Sequence, residues 1–325
     1  MPETQSTTDQ AGGGGTPRFA VALAAPDLRP WLGGNTGIPG IWSFAAATPG
    51  PHLAFVALTH GNEFASAIVL ERYLQAGLRP LRGRLSLVFA NLEAFAAFNP
   101  QNPTATRFLD EDLNRVWGED MMRGPARSRE MRRARELLPF VETIDVLVDL
   151  HSMLWPSDPL ILAADNARAI GLGLALAAPR LTVADPGHVA GRRLIDHRRF
   201  TAPDTKAAAV LVEAGQHWQT ETLVTIETTI QRALALHGMV NAPLAAPSVP
   251  PQLARVTQTV TATSHDFTFI RDFRGGEIIA EAGSLIAHDG AREIRTPHDD
   301  CLMIMPTPLV PRGHTAVRLA RFERI

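Results

Sequence analysis

The sequence predicts an α/β fold in which helices cover both faces of a mixed, mostly parallel β-sheet. Three apolar runs of strand length lie at residues 53–58, 84–90 and 144–150. Stretches with the length and spacing of helices lie between and after them. Strands that alternate with helices in this way indicate a parallel sheet buried on both faces. At 325 residues, the chain is long enough for one large domain and a smaller one.

Helices are predicted where apolar residues recur at helical spacing. The first spans 62–76 and directly follows the first strand. The second, over 125–138, carries a run of arginines that we interpret as a solvated face paired with Glu130 and Glu136. Three more elements are predicted along the chain: a helix at 166–178, a strand at 208–213 and a helix at 220–238.

The character of the sequence changes in its C-terminal quarter. Residues 242–251 are rich in proline, which is typical of a stiff linker. Beyond them, short alternating strands are separated by glycine turns, and they predict a small β domain. The sequence therefore predicts a flexible tail at 1–17, a main domain at 18–241, the linker, and the β domain at 252–325.

Composition argues against several classes of partner. The net charge of -2 is unsuited to a nucleic-acid partner, which requires a basic surface. No apolar run is long enough to span a membrane, and the N-terminus lacks the apolar stretch of a signal peptide. We therefore expect a cytoplasmic protein without a membrane partner, and self-association stays open. Because Cys301 is the only cysteine, a metal site would have to use histidines and carboxylates.

The segment 59–63 carries the first chemical signal. His60 and Glu63 lie three residues apart where a strand passes into a helix, so both side chains can face one side of the first turn. His151 follows another predicted strand, and the carboxyl ends of parallel strands share one edge of a sheet. Two histidines and one glutamate would leave a position for water, as catalytic zinc requires. Taken alone, the pattern is equally typical of a helix cap or a core histidine.

Four motifs in order carry a more specific signal, and they lie at 60–63 (HGNE), 107–115 (RFLDEDLNR), 148–152 (VDLHS) and 212–215 (VEAG). In this order and spacing, the chain resembles the succinylglutamate desuccinylase/aspartoacylase family, relatives of the zinc carboxypeptidases. The resemblance implies a zinc-carboxypeptidase-like fold and one Zn²⁺ per chain. It also implies hydrolysis of an amide bond in an N-acyl amino acid or a similar small N-acyl amine.

The resemblance implies a metal centre made of three residues. His60, Glu63 and His151 match the family's zinc ligands. Asp112 resembles an outer carboxylate that orients a ligating histidine. Asp112 could equally cap a helix, and the two arrangements are compatible.

The resemblance also implies roles in substrate binding and catalysis. Arg107 matches the arginine that polarises the scissile carbonyl and stabilises the oxyanion. Asn114 and Arg115 match the pair that binds the substrate's α-carboxylate. Glu213 matches the glutamate that takes a proton from water and passes it to the leaving nitrogen. Desolvation would raise the pKa of Glu213 and a metal would lower it, so the sequence leaves the net shift open.

The chain departs from the family pattern around the substrate. Tyr73 is its only tyrosine, whereas aspartoacylases use pocket tyrosines, and Pro203 stands where they carry an arginine. This puts both N-acetylaspartate and succinylglutamate in doubt as substrates. Nearby cations could replace that arginine or could be solvated loop charges: His197, Arg198, Arg199 and Lys206. We interpret His217 as a polar surface histidine, although it could edge the pocket.

Two alternatives remain beside an N-acyl amino acid deacylase. One is a zinc carboxypeptidase that acts on short peptides, which the lack of a pocket tyrosine and the short distance between motifs disfavour. The other is a non-catalytic relative that binds zinc or a small molecule. The presence of both Arg107 and Glu213 disfavours it, because metal binding alone needs neither residue.

Overall fold

The computed structural model describes residues 19–325. Eleven of the fourteen strands in that part of the chain form one mixed sheet. The tail predicted at 1–17 lies outside the described residues. The strands are β1 (Ile41–Ala45), β2 (His52–Ala57), β3 (Arg84–Phe89), β4 (Val146–Met153), β5 (Leu160–Ala164), β6 (Leu181–Asp185), β7 (Ala208–Gln216), β8 (Gln252–Thr261), β9 (Phe267–Phe269), β10 (Ile278–Ile279), β11 (Leu285–Asp289), β12 (Arg292–Arg295), β13 (Cys301–Ile304) and β14 (Thr315–Glu323). The α-helices are α1 (Ala65–Gln75), α2 (Leu92–Ala96), α3 (Glu119–Arg123), α4 (Arg129–Val141), α5 (Ala167–Leu176), α6 (Arg198–Thr201) and α7 (Thr220–Leu236).

The strand order in the large sheet is β1-β3-β2-β4-β7-β5-β6-β8-β14-β13-β10. Strands β3, β2, β4 and β7 are parallel to one another, whereas β5 runs antiparallel to β7. Strands β9, β11 and β12 form a separate small antiparallel sheet. The predicted α/β fold, with a mostly parallel mixed sheet flanked by helices and a small C-terminal β-sheet, is confirmed.

Strand β2 shows why the sheet is buried on both faces. Leu53 and Phe55 pack into a core with residues of α1, α5 and α7. Ala54 and Val56, which alternate with them, pack into a second core that contains residues of α4. Because successive side chains of a strand point to opposite faces, a strand between two helical layers must be apolar throughout. That requirement explains the unbroken apolar run of β2.

The C-terminal strands extend the central sheet. Residues 241–251 contain neither helix nor strand. After them, however, β8 pairs in parallel with β6, and β14 pairs with β8. The hydrogen-bonded sheet therefore crosses the predicted boundary between the two domains. No helix in residues 19–325 has the length and apolar character needed to cross a membrane.

Some elements differ from those expected. Helix α1 begins at Ala65, not at residue 62, because residues 60–64 form turns that position side chains of the candidate site. Helix α4 begins after Ser128, whose hydroxyl accepts a hydrogen bond from the Met131 amide. Strands β1, β5 and β6 were not predicted. Each spans only five residues.

Candidate metal centre and active site

The chain turns that follow β2 and the end of β4 bring three ligand-type side chains together. Nitrogen and oxygen atoms of His60, Glu63 and His151 all lie within 4.8 Å of one another. Glu63 Oε1 lies 2.8 Å from His60 Nδ1, and Glu63 Oε2 lies 2.9 Å from His151 Nδ1. All three residues are buried. Two imidazole nitrogens and one carboxylate form a donor set typical of catalytic zinc, so these residues could hold a metal ion.

Two backbone features shape the turn that carries His60. Leu58 adopts φ of 60°, a left-handed conformation that costs a non-glycine residue of order 1 kcal/mol and is concentrated at functional sites. Gly61 packs so closely that an added Cβ would lie 2.6 Å from the Thr106 carbonyl oxygen. This packing lets the Gly61 amide donate to the Arg107 carbonyl at 3.0 Å. The turn that carries His60 and the loop that begins at Arg107 (the Arg107 loop) are therefore held against each other.

Each histidine has a second carboxylate on its far side. Asp112 Oδ1 lies 2.9 Å from His60 Nε2, and Asp149 Oδ2 lies 2.9 Å from His151 Nε2. Outer carboxylates in such positions orient metal-binding imidazoles, so Asp112 and Asp149 would leave Nδ1 of each ring for a metal ion. The sequence analysis did not identify Asp149. Its two-residue spacing from His151 in a strand, which puts both side chains on one face, was the available signal.

The buried charges form a tight pair. Burial disfavours the charged ring of His151, but Asp149 and Glu63 outweigh burial and raise its pKa well above the ordinary value. Burial likewise raises the pKa of Glu63, but the neighbouring His60 and His151 lower it well below the usual range. Without a metal, the site therefore holds an anionic Glu63 against a protonated His151.

Glu213 lies beside this cluster on the adjacent strand. It is the register partner of His151 in the parallel pair of β4 and β7. Its side chain is buried, and Oε2 has no hydrogen-bond partner among residues 19–325. Burial raises the pKa of Glu213 to about 8, although His151 and Arg107 oppose that shift. A desolvated carboxylate without a partner is a strong proton acceptor.

Arg107 links the candidate ligands to the cavity. Its Nη1 donates to Glu63 Oε1 at 2.8 Å, and its Nη2 lies 3.5 Å from Asp112 Oδ2. The side chain remains 37% exposed. The guanidinium is thus held by two carboxylates and still faces open space, so it can meet a bound molecule.

A buried glutamate organises the loop from Arg107 to Arg115. Glu130, on α4, accepts hydrogen bonds from the Leu109, Asp110 and Glu111 amides at 2.7, 3.1 and 3.2 Å. The expectation that Glu130 would pair with arginines on a solvated face is therefore wrong. Three successive loop amides satisfy its carboxylate, and its exposed fraction is 0%. Because arginines surround Glu130 in the sequence, the sequence alone did not indicate that its side chain faces inward.

Asp112, Asn114 and Arg115 form the end of that loop. Asp112 Oδ1 accepts a hydrogen bond from the Asn114 amide at 2.8 Å, so Asp112 caps the short 3₁₀-helix Leu113–Arg115 and also touches His60. Asn114 Oδ1 accepts from the Leu194 amide at 2.8 Å. Burial, with Arg107 and other arginines nearby, lowers the pKa of Arg115 to about 10 although Asp112 opposes that shift.

The predicted site residues share one cavity of about 600 Å³. Its lining includes seven of the eight: His60, Arg107, Asp112, Asn114, Arg115, His151 and Glu213. The eighth, Glu63, lies beneath them and lines an adjoining cavity of about 260 Å³. Arg107 and Glu213 line both cavities.

The larger cavity also contains two cations that the sequence analysis missed, Arg193 and Arg318. Arg193 donates to Asp185 Oδ2 and Asp196 Oδ2, both at 2.7 Å. Arg318 Nε lies 3.0 Å from the same oxygen of Asp185, and this is its one ion pair within residues 19–325. Burial, with Arg115 and Arg318 nearby, lowers the pKa of His188 on the same wall to about 4. This end of the cavity is suited to an anion.

The cations proposed to replace the arginine missing at Pro203 line neither cavity: His197, Arg198, Arg199 and Lys206. Arg199, for example, pairs with Asp145 at 3.1 Å, at the far end of β4. Arg193, ten residues before Pro203, and Arg318, on β14, line the larger cavity instead.

His217 lies inside the protein. It is 2% exposed, and its Nδ1 lies 2.8 Å from Ser152 Oγ. Our interpretation of His217 as a surface histidine is therefore wrong, and the ring lines the smaller cavity beside Glu213. His217 directly follows β7, and its backbone amide donates to the Met153 carbonyl at 2.9 Å.

The chain is similar to known proteins in sequence and in fold. Residues 49–237 match the profile of the succinylglutamate desuccinylase/aspartoacylase catalytic domain. A succinylglutamate desuccinylase from Vibrio parahaemolyticus has 17% sequence identity and a TM-score of 0.67, over 88% of this chain and 87% of that one. A succinylglutamate desuccinylase/aspartoacylase from Rhodobacter sphaeroides has 17% identity and a TM-score of 0.66, over 88% and 89%. The product-bound ectoine utilization protein from Ruegeria pomeroyi has 17% identity and a TM-score of 0.61, over 87% and 88%.

Proposed function

Because the chain belongs to the succinylglutamate desuccinylase/aspartoacylase family, we propose that it is a zinc-dependent deacylase. Its substrate is an N-acyl amino acid or a similar small N-acyl amine, whose amide bond it hydrolyses. The observation that carries the proposal is the meeting of His60, Glu63 and His151 beside the unpaired carboxylate of Glu213. A site that only stored metal would have no use for that carboxylate.

His60, Glu63 and His151 would hold the metal, and Asp112 and Asp149 would fix the two imidazoles. When bound there, Zn²⁺ supplies a Lewis acid that polarises a carbonyl and acidifies water. The donor set fits such an ion because two nitrogens and one carboxylate leave coordination positions open. No other group of three metal-ligating side chains gathers in this way within residues 19–325.

Glu213 acts as the proton carrier in this proposal. Its unpaired oxygen takes a proton from the attacking water, and the water oxygen forms a bond to the acyl carbon. The same proton then passes to the amine nitrogen as the carbon–nitrogen bond breaks. The products are a carboxylate and an amine. Arg107, held by Glu63 and open to the cavity, stabilises the negative charge on the former carbonyl oxygen.

Asn114 and Arg115 bind the carboxylate of the amino-acid part. Asn114 uses Oδ1 for the Leu194 amide, which leaves its Nδ2 group for a ligand. Arg115 is only loosely paired, with Nη2 at 4.0 Å from Asp112 Oδ2. A guanidinium and an amide side by side can each donate to one carboxylate. The positive end of the large cavity favours that orientation.

A substrate screen tests the proposal directly. The zinc-loaded chain is assayed against N-acyl amino acids and against blocked dipeptides, with chelated and zinc-restored samples as controls. We expect hydrolysis of N-acyl amino acids that chelation abolishes and zinc restores. Faster hydrolysis of dipeptides would indicate a carboxypeptidase, and binding of zinc without turnover of either class would indicate a non-catalytic relative.

A further inference from the structure

The smaller cavity differs from the larger one in its chemistry. Five residues form an apolar wall in it: Met153, Leu154, Trp155, Met305 and Pro306. The larger cavity, in contrast, is lined by Arg115, Arg193 and Arg318. Because the two cavities meet at Arg107 and Glu213, a molecule that reacts there would have one part on each side.

The smaller cavity offers no free cation to an anionic group. Among the described residues that line it, Arg107 is the only cation. Arg107 is already paired with Glu63 at 2.8 Å. Burial lowers the pKa of His217 to about 4, so its ring is neutral near pH 7. A carboxylate of the acyl group placed here would lose its water without gaining a free cationic side chain as partner.

The apolar wall is held in place by contacts between distant segments. Trp155 packs edge-on against Phe19, with ring centroids 5.3 Å apart. Ser157 forms a bridge with Gly275, where an added Cβ would lie 2.0 Å from Ser157 Oγ. Met305, which also lines the cavity, directly follows β13 and has φ of 51°, a strained conformation for a non-glycine residue. The cavity is therefore preformed, which favours selection by shape.

We propose that this cavity is the acyl site, and that it selects uncharged apolar acyl groups of butyryl to benzoyl size over a succinyl group. This inference rests on the proposed function, because Asn114 and Arg115 must hold the amino-acid carboxylate in the other cavity. The volume of about 260 Å³ equals roughly nine water-sized volumes of about 30 Å³ each. It therefore has room for more than an acetyl group.

A substrate series with a common amino-acid part tests the inference. The acyl group is varied through acetyl, butyryl, benzoyl, succinyl and succinamoyl, the last being the neutral isostere of succinyl. We expect kcat/KM to rise about fourfold for each methylene from acetyl to butyryl, since a buried CH₂ contributes about 0.8 kcal/mol. We expect succinamoyl to exceed succinyl at least tenfold. A succinyl substrate that outperforms both butyryl and succinamoyl would overturn the inference.

A cation introduced into the apolar wall gives a second test. In the Leu154→Lys variant, the ratio of kcat/KM for succinyl to that for butyryl should rise at least tenfold. The Leu81→Lys variant is the control, because Leu81 is 55% exposed and lines neither cavity. A ratio reports on selectivity even if Leu154→Lys also lowers the amount of folded enzyme. Equal ratios in the two variants would contradict the acyl site.

Binding without turnover separates this inference from the proposed function. Calorimetry with the zinc-loaded Glu213→Gln variant compares N-butyrylglycine with N-succinylglycine. We expect the butyryl compound to bind at least fivefold more tightly. Absence of hydrolysis by the wild-type chain would refute the proposed function alone, whereas tighter binding of the succinyl compound would refute the acyl site alone.

Discussion

His151 on β4 lies directly opposite Glu213 on β7 in the register of two parallel strands. Neighbouring strands are about 4.8 Å apart, so backbone hydrogen bonds set the separation between a candidate metal ligand and a candidate base. A shift of one residue in either strand would turn one of the two side chains to the other face of the sheet. The hydrophobic core that packs against both strands therefore also fixes the relative positions of His151 and Glu213.

The first prediction concerns Glu213. Replacement by Gln keeps the size of the side chain and removes its ability to accept a proton, so kcat/KM should fall by about 10²–10⁴. Zinc content should stay the same, because Glu213 is not a proposed ligand. Steady-state kinetics and metal analysis check both points. The exposed Glu221 on α7 gives a matched control in Glu221→Gln, and equal activities of the two variants would be incompatible with a base at residue 213.

Asp149 should control metal affinity although it touches no metal. Its Oδ2 lies 2.9 Å from His151 Nε2, and its Oδ1 accepts a hydrogen bond from the Thr59 hydroxyl at 2.8 Å. Loss of such an outer carboxylate weakens metal binding about 10–100-fold. Competition with a chelator measures the change in Asp149→Asn against the exposed Asp204→Asn. An affinity unchanged in Asp149→Asn would show that the contact does not orient His151.

Glu130 should support activity from outside the cavities. In Glu130→Ala, three partly buried amides of the Arg107 loop lose their charged acceptor, and a hydrogen bond to a charged group contributes about 1.5–3 kcal/mol. We expect a lower melting temperature and a fall in kcat/KM of about tenfold or more as Arg107 loses its position. Glu136→Ala, on the exposed side of the same helix, should change neither quantity. Equal melting temperatures and equal kcat/KM values in the two variants would show that the conformation of the Arg107 loop does not depend on Glu130.

Arg318 should contribute to binding of the substrate's anionic end. Its one ion pair within residues 19–325 is with Asp185, which also pairs with Arg193. Since a hydrogen bond to a charged group contributes about 1.5–3 kcal/mol, Arg318→Met should lower kcat/KM about 10–100-fold, mainly through KM. Arg321→Met, at an exposed position of the same strand, is the control. A loss confined to kcat would place Arg318 away from the bound carboxylate.

Metal binding should release a proton from His151. Asp149 and Glu63 outweigh burial and raise the pKa of His151 well above its usual value, so the ring is protonated in the metal-free chain near pH 7. Because the metal requires a neutral imidazole, affinity should fall about tenfold for each pH unit between pH 7 and pH 6. Calorimetry in buffers of different ionisation enthalpy counts the protons. Uptake of protons, or affinity independent of pH, would contradict this assignment.

The sequence predicted the central strands and the convergence of the metal cluster for a physical reason. Strands β2 and β4 are buried on both faces, so each appears as a mainly apolar run that can be found without a structure, although Asp149 interrupts the run in β4. Parallel strands end at one edge of a sheet, so His60 and His151 could be expected to meet there although they are far apart in sequence.

The residues that were missed depend on relations that no local pattern carries. Arg318 reaches the cavity only because β8 pairs with β6 and β14 pairs with β8. Glu130 lies within a run of charged residues, and one inward-facing carboxylate cannot be told from its solvated neighbours by composition. His217 is polar and follows a strand, which is typical of surface loops. The locations of these three side chains could be established only from the tertiary structure.

Anomalous diffraction at the zinc edge, on crystals of the zinc-loaded chain, tests the central claim most directly. The account predicts one peak per chain, bonded to Nδ1 of His60, Nδ1 of His151 and the carboxylate of Glu63. A zinc peak bound by other residues, or crystals of the zinc-treated chain that show no zinc peak, would contradict it.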